Sequence, residues 1–232
     1  MNATIPTRAG TTSSPAELTA DRITKSMLGY GVIAGPIYVG TSLVQAATRE
    51  GFDLTRHAWS QLALGGPGWI QTTNLIVTGL MLVTFAVGLR RALRTGTGAT
   101  WSPVLIGVFG LGMVVAGVFP VDPVLGFPVG EPTATSISAA GLVHLVAGAV
   151  GFLGVTGGLL VYAGRLAAEG FGGWARATRI VAPLFLVSFV VMASTALGRA
   201  GVLAFVAGVI AIMALISALA VHRYRLMPDT TG

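Results

Sequence analysis

The sequence predicts an all-α integral membrane protein, a bundle of six transmembrane helices with both termini in the cytoplasm. The 232-residue chain is 53% hydrophobic and only 9% charged, with a mean hydropathy of +0.81. Charged residues usually make up about a quarter of a soluble domain, so lipid is the expected solvent here. The apolar residues also fall into six runs, each near the ~20 residues that a helix needs to cross hydrocarbon.

Two tails flank the predicted membrane domain. Residues 1–25 are rich in Thr, Ser, Ala and Pro and lack a periodic apolar face, which predicts a mostly disordered tail, with helix from Pro15 as the alternative. The transmembrane domain is predicted over residues 26–221, and residues 222–232 form a second cytoplasmic tail. Continuous apolar runs favour helices over the alternating strands of a barrel. The predicted spans cover residues 26–48, 69–90, 102–120, 138–163, 177–197 and 201–221.

The positions of Arg and Lys predict the orientation. Of the 14 basic residues, 11 fall on the side that holds both termini, and the other side holds only Arg49, Arg56 and Arg199. Cytoplasmic loops are enriched in basic residues, so both termini are predicted inside the cell. This topology also accounts for the net charge of +6, and no basic face interleaved with aromatic residues indicates nucleic-acid binding. The 13 Arg against one Lys are typical of a GC-rich bacterial gene, hence of a bacterial inner membrane.

Glycines predict where the helices approach each other closely. Small residues let membrane helices pack backbone to backbone, and this role is favoured over a substrate groove. The ridges are Gly31 and Gly35 in the first span and Gly148, Gly151, Gly154 and Gly158 in the fourth.

Residues 51–68 form the longest polar segment between the predicted spans. Thr55 is predicted to cap a short amphipathic helix over residues 56–64 that lies at the membrane surface, with Trp59 at the headgroup level. A spacing of three places His57 and Ser60 on one side of this helix, facing the mouth of the bundle.

Five residues form a candidate polar site on the outer side: Arg56, His57, Ser60, Asp122 and His144. His144 should lie ~9 Å below the outer surface, at 1.5 Å per residue, where an ionisable group needs a partner. The third and fourth spans are joined by a short loop and should pack together, so Asp122 is the expected partner.

A structural role stays open for each of these residues. His57 is a candidate for a bond to Asp53 or to a backbone carbonyl, and Ser60 for an ordinary bond within its loop. Asp122 lies between two prolines, where it would form a turn or a cap. His144 is a candidate for an interhelical bond, and Arg56 for a lipid phosphate or a salt bridge.

The pattern R-H-A-x-S-x-L, followed by Gly-Gly-Pro, then FPxD and an early His in the fourth span, resembles the bacterial and archaeal membrane family catalogued as domain of unknown function 998. The resemblance covers about residues 26–220. In that family the loop is often closer to R-H-x-I-S-E-L-G, whereas Trp59 and Gln61 stand here, which argues against a role that needs a carboxylate at 61. The resemblance implies a fold without an established activity. It rests on Arg56, His57, Ser60, Leu62, Pro120, Asp122 and His144.

A weaker likeness links the same residues to the alkaline ceramidases and adiponectin-type receptors. In those membrane hydrolases Ser, His and Asp at one membrane face surround a zinc ion. They have seven helices and a paired His-x-x-x-His on the last one, and this sequence has neither.

Together these features predict a multi-pass membrane protein with an outer-facing polar pocket that binds a lipid, a small amphiphile or a partner protein without a cofactor. One alternative is a zinc-dependent intramembrane hydrolase in which His57, Asp122 and His144 hold the metal, with Ser60 behind them. Another is a small transporter. The sequence contains no cysteine, which excludes thiolate ligands and nucleophiles. Whether the protein is an enzyme or an oligomer stays open.

Overall fold

The computed structural model describes residues 14–228, and this part of the chain is helical without a strand. One antiparallel bridge, between Val124 and Phe127, lies in a loop. Six of the helices are long and apolar enough to cross a membrane, which confirms the predicted fold class. They are α1 (Pro15–Thr48), α2 (Gly68–Leu93), α3 (Trp101–Val118), α4 (Ala139–Ala168), α5 (Gly172–Ala193) and α6 (Gly198–Arg225).

The helix bounds differ from the predicted spans most of all at the start of α1, while α3 and α5 end before their predicted ends. The Ser14 hydroxyl accepts from the Glu17 amide, and the Glu17 carboxylate accepts from the Ser14 amide, so a capping box begins the helix at Pro15. Residues 15–25 therefore follow the helical alternative and not the predicted disorder, while residues 1–13 lie outside the described part. At the other end, α6 continues to Arg225, past the predicted end of its span.

The six helices form a closed ring in which each helix packs on the next and α6 packs on α1. We call the end that carries connections 49–67, 119–138 and 194–197 the loop end, and the end near both termini the terminal end. Because the number of spans is even, the chain enters and leaves the ring at the terminal end.

Glycines sit at the closest helix contacts, as the sequence predicted. A Cβ atom on Gly79 of α2 would lie 2.5 Å from the Gly110 carbonyl of α3, and one on Gly110 would lie 2.7 Å from the Gly79 carbonyl. Gly154 and Gly158 of α4 meet α3 in the same way, and Gly35 meets α6. Gly148 differs from the rest of its ridge, since its Cβ position faces open space.

A buried hydrogen-bond network joins α1 to α2. The Gln71 side chain accepts from Gln45 Nε2 at 2.7 Å and donates to the Ser42 hydroxyl at 3.1 Å. Asn74 Nδ2 donates to the Tyr38 carbonyl at 3.1 Å. Polar groups inside a membrane bundle need such partners because lipid offers none.

An ionic cluster joins the helices at the terminal end. The Glu169 carboxylate lies 2.6 Å from Arg165 Nε and 2.7 Å from an Arg223 terminal nitrogen. Arg223 Nε also donates to the Tyr162 hydroxyl, and Arg165 donates to the Thr95 carbonyl. One carboxylate thereby joins α4, α6 and the connection after α2.

Replacement of Gly79 by Ala should destabilise the bundle, because the added methyl group meets the α3 backbone. Overpacking of this kind costs about 1–3 kcal/mol, more than the gain of about 1 kcal/mol in helix propensity. We expect the free energy of unfolding in detergent to fall for Gly79→Ala. Gly40→Ala is the matched control, since nothing lies within 4 Å of its Cβ position. Equal stability of the two variants would contradict the close contact between α2 and α3.

Candidate functional site

A cavity of about 460 Å³ lies at the centre of the helix ring and reaches the loop end. All six helices contribute to its wall. The inner part is apolar and rich in aromatic rings, with Phe152 at the centre of a cluster whose ring centroids lie 4.9 Å from Phe189, 5.0 Å from Phe185 and 5.7 Å from Phe205. The polar lining residues other than Tyr38 lie at the loop end: Ser60, Gln61, Asp122, Thr135, Ser136 and His144.

A five-residue 3-10 helix, Trp59–Ala63, covers part of the loop end of the cavity. The predicted α-helix over residues 56–64 is thus wrong in length and type. Thr55 does not cap it, because both the amide and the hydroxyl of Thr55 donate to the Asp53 carboxylate. Trp59 is also not at the headgroup level: it is 3% exposed and packs edge-on against Tyr38, at 5.9 Å between centroids.

Arg49 holds the 3-10 helix against the bundle. Its guanidinium group donates to the Leu62 carbonyl at 3.0 Å and to the Leu64 carbonyl at 2.6 Å. The same group lies 5.3 Å from the centre of the Phe127 ring, so one cation also contacts the loop between α3 and α4. These bonds pull the short helix inward, which explains why Trp59 is buried.

His57 lies beside the cavity and does not line it. It is 1% exposed and packs against the rings of Phe52 and Phe127, with centroids 5.3 and 5.4 Å away, and these two rings also contact each other. Its Nδ1 accepts from the Asp53 amide at 2.9 Å, which fixes the neutral ring with its proton on Nε2. Burial lowers the pKa of His57, although the nearby Leu125 backbone favours the protonated form. Arg56, which is exposed, donates to the Leu125 carbonyl at 3.2 Å.

His144 of α4 donates a hydrogen bond to backbone carbonyls at the end of α3. Its Nδ1 lies 3.0 Å from the Ala116 carbonyl and 2.9 Å from the Phe119 carbonyl. Pro120, four residues after Ala116, has no amide hydrogen to donate to that carbonyl, and Phe119 lies past the last residue of α3. Because carbonyls only accept, Nδ1 carries the proton, and Nε2 of the neutral ring is an acceptor.

Asp122 holds the start of α4 and borders the cavity. Its Oδ2 accepts from the Ser138 amide at 3.0 Å, and its carboxylate packs directly on Gly141, where a Cβ atom would find no room. The Ser138 hydroxyl in turn accepts from the Gly141 amide and caps the helix. The expected bond between Asp122 and His144 is replaced by these contacts, since each has backbone partners.

The structure therefore brings Ser60, Asp122 and His144 to one cavity and leaves Arg56 and His57 beside it. Within residues 14–228, no three His, Asp or Glu side chains are grouped so that they could hold a metal ion.

The sequence interpretation missed Gln61 and the buried polar residues of α1 and α2. Gln71 and Asn74, three residues apart in an apolar run, were the available signal, because polar residues at helical spacing in a span mark a buried face. Nothing in the sequence marked Thr135 and Ser136, since their place depends on the path of the loop.

The fold and cavity define a multi-pass helical membrane protein with an internal site. Residues 32–222, more than half of the chain, match the family model described as "Protein of unknown function (DUF998)". The chain belongs to this family, which confirms the resemblance found in its loop motif. Searches of curated proteins and of solved structures gave no match.

Lowering the pH should loosen the segment around His57. The pKa of His57 lies below its ordinary value in the folded state. As the pH falls below about 6.5, protonation of His57 therefore favours a locally unfolded form of residues 53–57 over the folded form. Protonated Nδ1 also cannot accept from the Asp53 amide. We expect hydrogen exchange at Asp53, corrected for its intrinsic pH dependence, to rise several-fold between pH 7.5 and 5. His57→Asn, which keeps an acceptor but does not titrate, should lack this rise; the same rise in both proteins would refute the assignment.

Replacement of His144 by Leu should destabilise the protein, because two carbonyls lose their donor, the buried one of Ala116 and the part-buried one of Phe119. A buried polar group left unpaired costs about 1–3 kcal/mol, which is the expected loss in the free energy of unfolding. His144→Asn retains an N–H donor near the Nδ1 position and should lose less. Unfolding in detergent compares the two variants, and equal stability of His144→Leu and the wild type would contradict this role.

Proposed function

We propose that the protein binds a single-chain membrane amphiphile, with the apolar chain in the central cavity and the polar group at Ser60, Asp122 and His144. One observation carries the proposal: the cavity is apolar and aromatic inside and polar at the loop end. Its volume of about 460 Å³ falls within the roughly 300–1,000 Å³ of ligand sites. This division between apolar and polar surface matches an amphiphile rather than a polar solute.

The proposal includes a location. The distribution of the basic residues supports an orientation with both termini in the cytoplasm of a bacterial cell and the loop end outside the inner membrane. The amphiphile would then bind from the outer leaflet or the outer aqueous phase.

The zinc-dependent hydrolase and the small transporter stay alternatives, with less support than amphiphile binding. The hydrolase requires His57 to reach Asp122 and His144, yet His57 packs against Phe52 and Phe127 and does not line the cavity. Elemental analysis separates amphiphile binding from the zinc-dependent hydrolase. We expect substoichiometric zinc in the purified protein, whereas one zinc per chain would favour the hydrolase.

Filling the cavity should abolish binding without unfolding the protein. Gly148 lines the cavity, and nothing lies within 4 Å of its Cβ position, so Leu at this position would occupy the space of the ligand. We expect wild-type protein in detergent to bind tritiated 1-hexadecanol with about one saturable site per chain. Gly148→Leu should lower that affinity at least about tenfold, while its thermal stability stays close to that of the wild type.

Gly164→Leu is the matched control for this experiment. Gly164 lies on the same helix with nothing within 4 Å of its Cβ position, and it does not line the cavity. Its hexadecanol affinity should equal that of the wild type. Equal binding by Gly148→Leu and Gly164→Leu, or no saturable binding at all, would overturn the proposed function.

Cysteine labelling tests the proposed orientation, because the chain has no native cysteine. Glu131 is exposed at the loop end, and Arg176 is exposed near the start of α5 at the terminal end. In intact bacterial cells, a membrane-impermeant maleimide should label Glu131→Cys and leave Arg176→Cys unlabelled until the cells are opened. The reverse pattern would show that the loop end faces the cytoplasm.

A further inference from the structure

The charge of the cavity lining restricts the polar group that the ligand can carry. Among residues 14–228, Asp122 is the one acidic residue of the lining, and no Arg or Lys borders the cavity. Of the cations at the loop end, Arg49 bonds to the carbonyls of Leu62 and Leu64, Arg56 bonds to that of Leu125, and Arg199 is exposed and does not line the cavity. A ligand in the cavity therefore meets the Asp122 carboxylate, which bonds to the Ser138 amide at the start of α4, and no Arg or Lys side chain.

Two acceptor atoms at the loop end suit a ligand that donates hydrogen bonds. His144 donates through Nδ1 to two carbonyls, so Nε2 is left as an acceptor, and it has no hydrogen-bond partner among residues 14–228. Asp122 uses Oδ2 for the Ser138 amide, which leaves its other oxygen as a second acceptor. Two further lining residues each have one buried atom without a partner in the described structure, the acceptor Gln61 Oε1 and the donor Trp59 Nε1.

From these contacts we infer that the ligand's polar group is a hydrogen-bond donor with positive charge, a primary ammonium, held by the Asp122 carboxylate and His144 Nε2. The inference rests on the proposed function and specifies its ligand class. An ammonium group gains a charge-assisted bond to Asp122, whereas a carboxylate or a phosphate would be buried beside a like charge with no cation to neutralise it. A neutral alcohol can donate one hydrogen bond, so its affinity should lie between that of the ammonium and that of the carboxylate or phosphate.

Three probes with the same chain test the inference: hexadecylamine, 1-hexadecanol and hexadecanoate, at pH 7.5 in a non-ionic detergent. Each is titrated as a competitor against tritiated 1-hexadecanol on the full-length protein. We expect hexadecylammonium to bind at least about tenfold more tightly than the alcohol, as a bond to a charged group contributes about 1.5–3 kcal/mol. Hexadecanoate should bind more weakly than the alcohol.

Asp122→Asn separates the charge of Asp122 from its structural bond. Asn retains an acceptor for the Ser138 amide, so the variant should fold, and the quantity measured is the ratio of its affinities for hexadecylammonium and hexadecanol. The preference for hexadecylammonium over the alcohol should disappear. Glu131→Gln is the matched control: it removes the same charge from the same connection, away from the cavity lining, and should retain the preference.

The outcomes distinguish this inference from the function on which it rests. Saturable binding of the alcohol with equal or tighter binding of hexadecanoate would overturn the ammonium assignment and leave the amphiphile site in place. A preference for the ammonium that survives in Asp122→Asn would also overturn the assignment, because a group other than Asp122 would then determine it. If none of the probes binds saturably, the proposed function itself fails.

Discussion

The bond from His144 to the end of α3 is the contact on which the loop end depends. Pro120 deprives the carbonyl of Ala116 of its usual helical donor, the Phe119 carbonyl lies past the end of α3, and one imidazole nitrogen bonds to both carbonyls. In a membrane protein this replacement must come from the protein, since lipid offers no hydrogen bond. The bond fixes α3 to α4 and directs the loop over residues 119–138 across the mouth of the cavity. It also sets the tautomer, and hence the acceptor that a ligand can meet.

The cavity follows from how the ring is closed. Close glycine contacts join α2 to α3 through Gly79 and Gly110, and α3 to α4 through Gly154 and Gly158. The ridge of α4 changes role at Gly148, which lines the cavity and has nothing within 4 Å of its Cβ position. A helix ring held tightly at its perimeter thus keeps a central space. Aromatic side chains from α4, α5 and α6 narrow this space without filling it.

The sequence predicted the parts of the fold that depend on solvent preference alone. Continuous apolar runs located all six spans. The glycine spacing predicted that α1 and α4 each pack closely on a neighbouring helix, which is α6 for Gly35 and α3 for Gly154 and Gly158. The start of α1 was predicted too late, because the capping box at Ser14 and Glu17 extends the helix through polar residues that no span prediction counts. Trp59 was misplaced for a similar reason. Its headgroup position was a general preference of tryptophan, and the bonds from Arg49 to the Leu62 and Leu64 carbonyls override it.

The candidate site was predictable only in part. Asp122 and His144 were found because ionisable groups near a span are costly, and they do border the cavity. Their bond to each other was not found, because both prefer backbone groups that only the three-dimensional path of the chain brings near. His57 and Ser60 are three residues apart, yet only Ser60 reaches the cavity. The spacing argument assumed an α-helix, whereas Phe52 and Phe127 pack against His57 before the 3-10 helix begins.

The central claim is that an alkyl chain occupies the interior of the helix ring. Photo-crosslinking tests it most directly, with a hexadecyl probe that carries a diazirine near the end of its chain and with label mapped by mass spectrometry. The account predicts labelling of Phe152, Phe189 and Phe205, suppressed by excess unlabelled 1-hexadecanol. Label confined to the outward face of α4, at Leu142, Val146 and Val150, with the interior residues unlabelled, would contradict it.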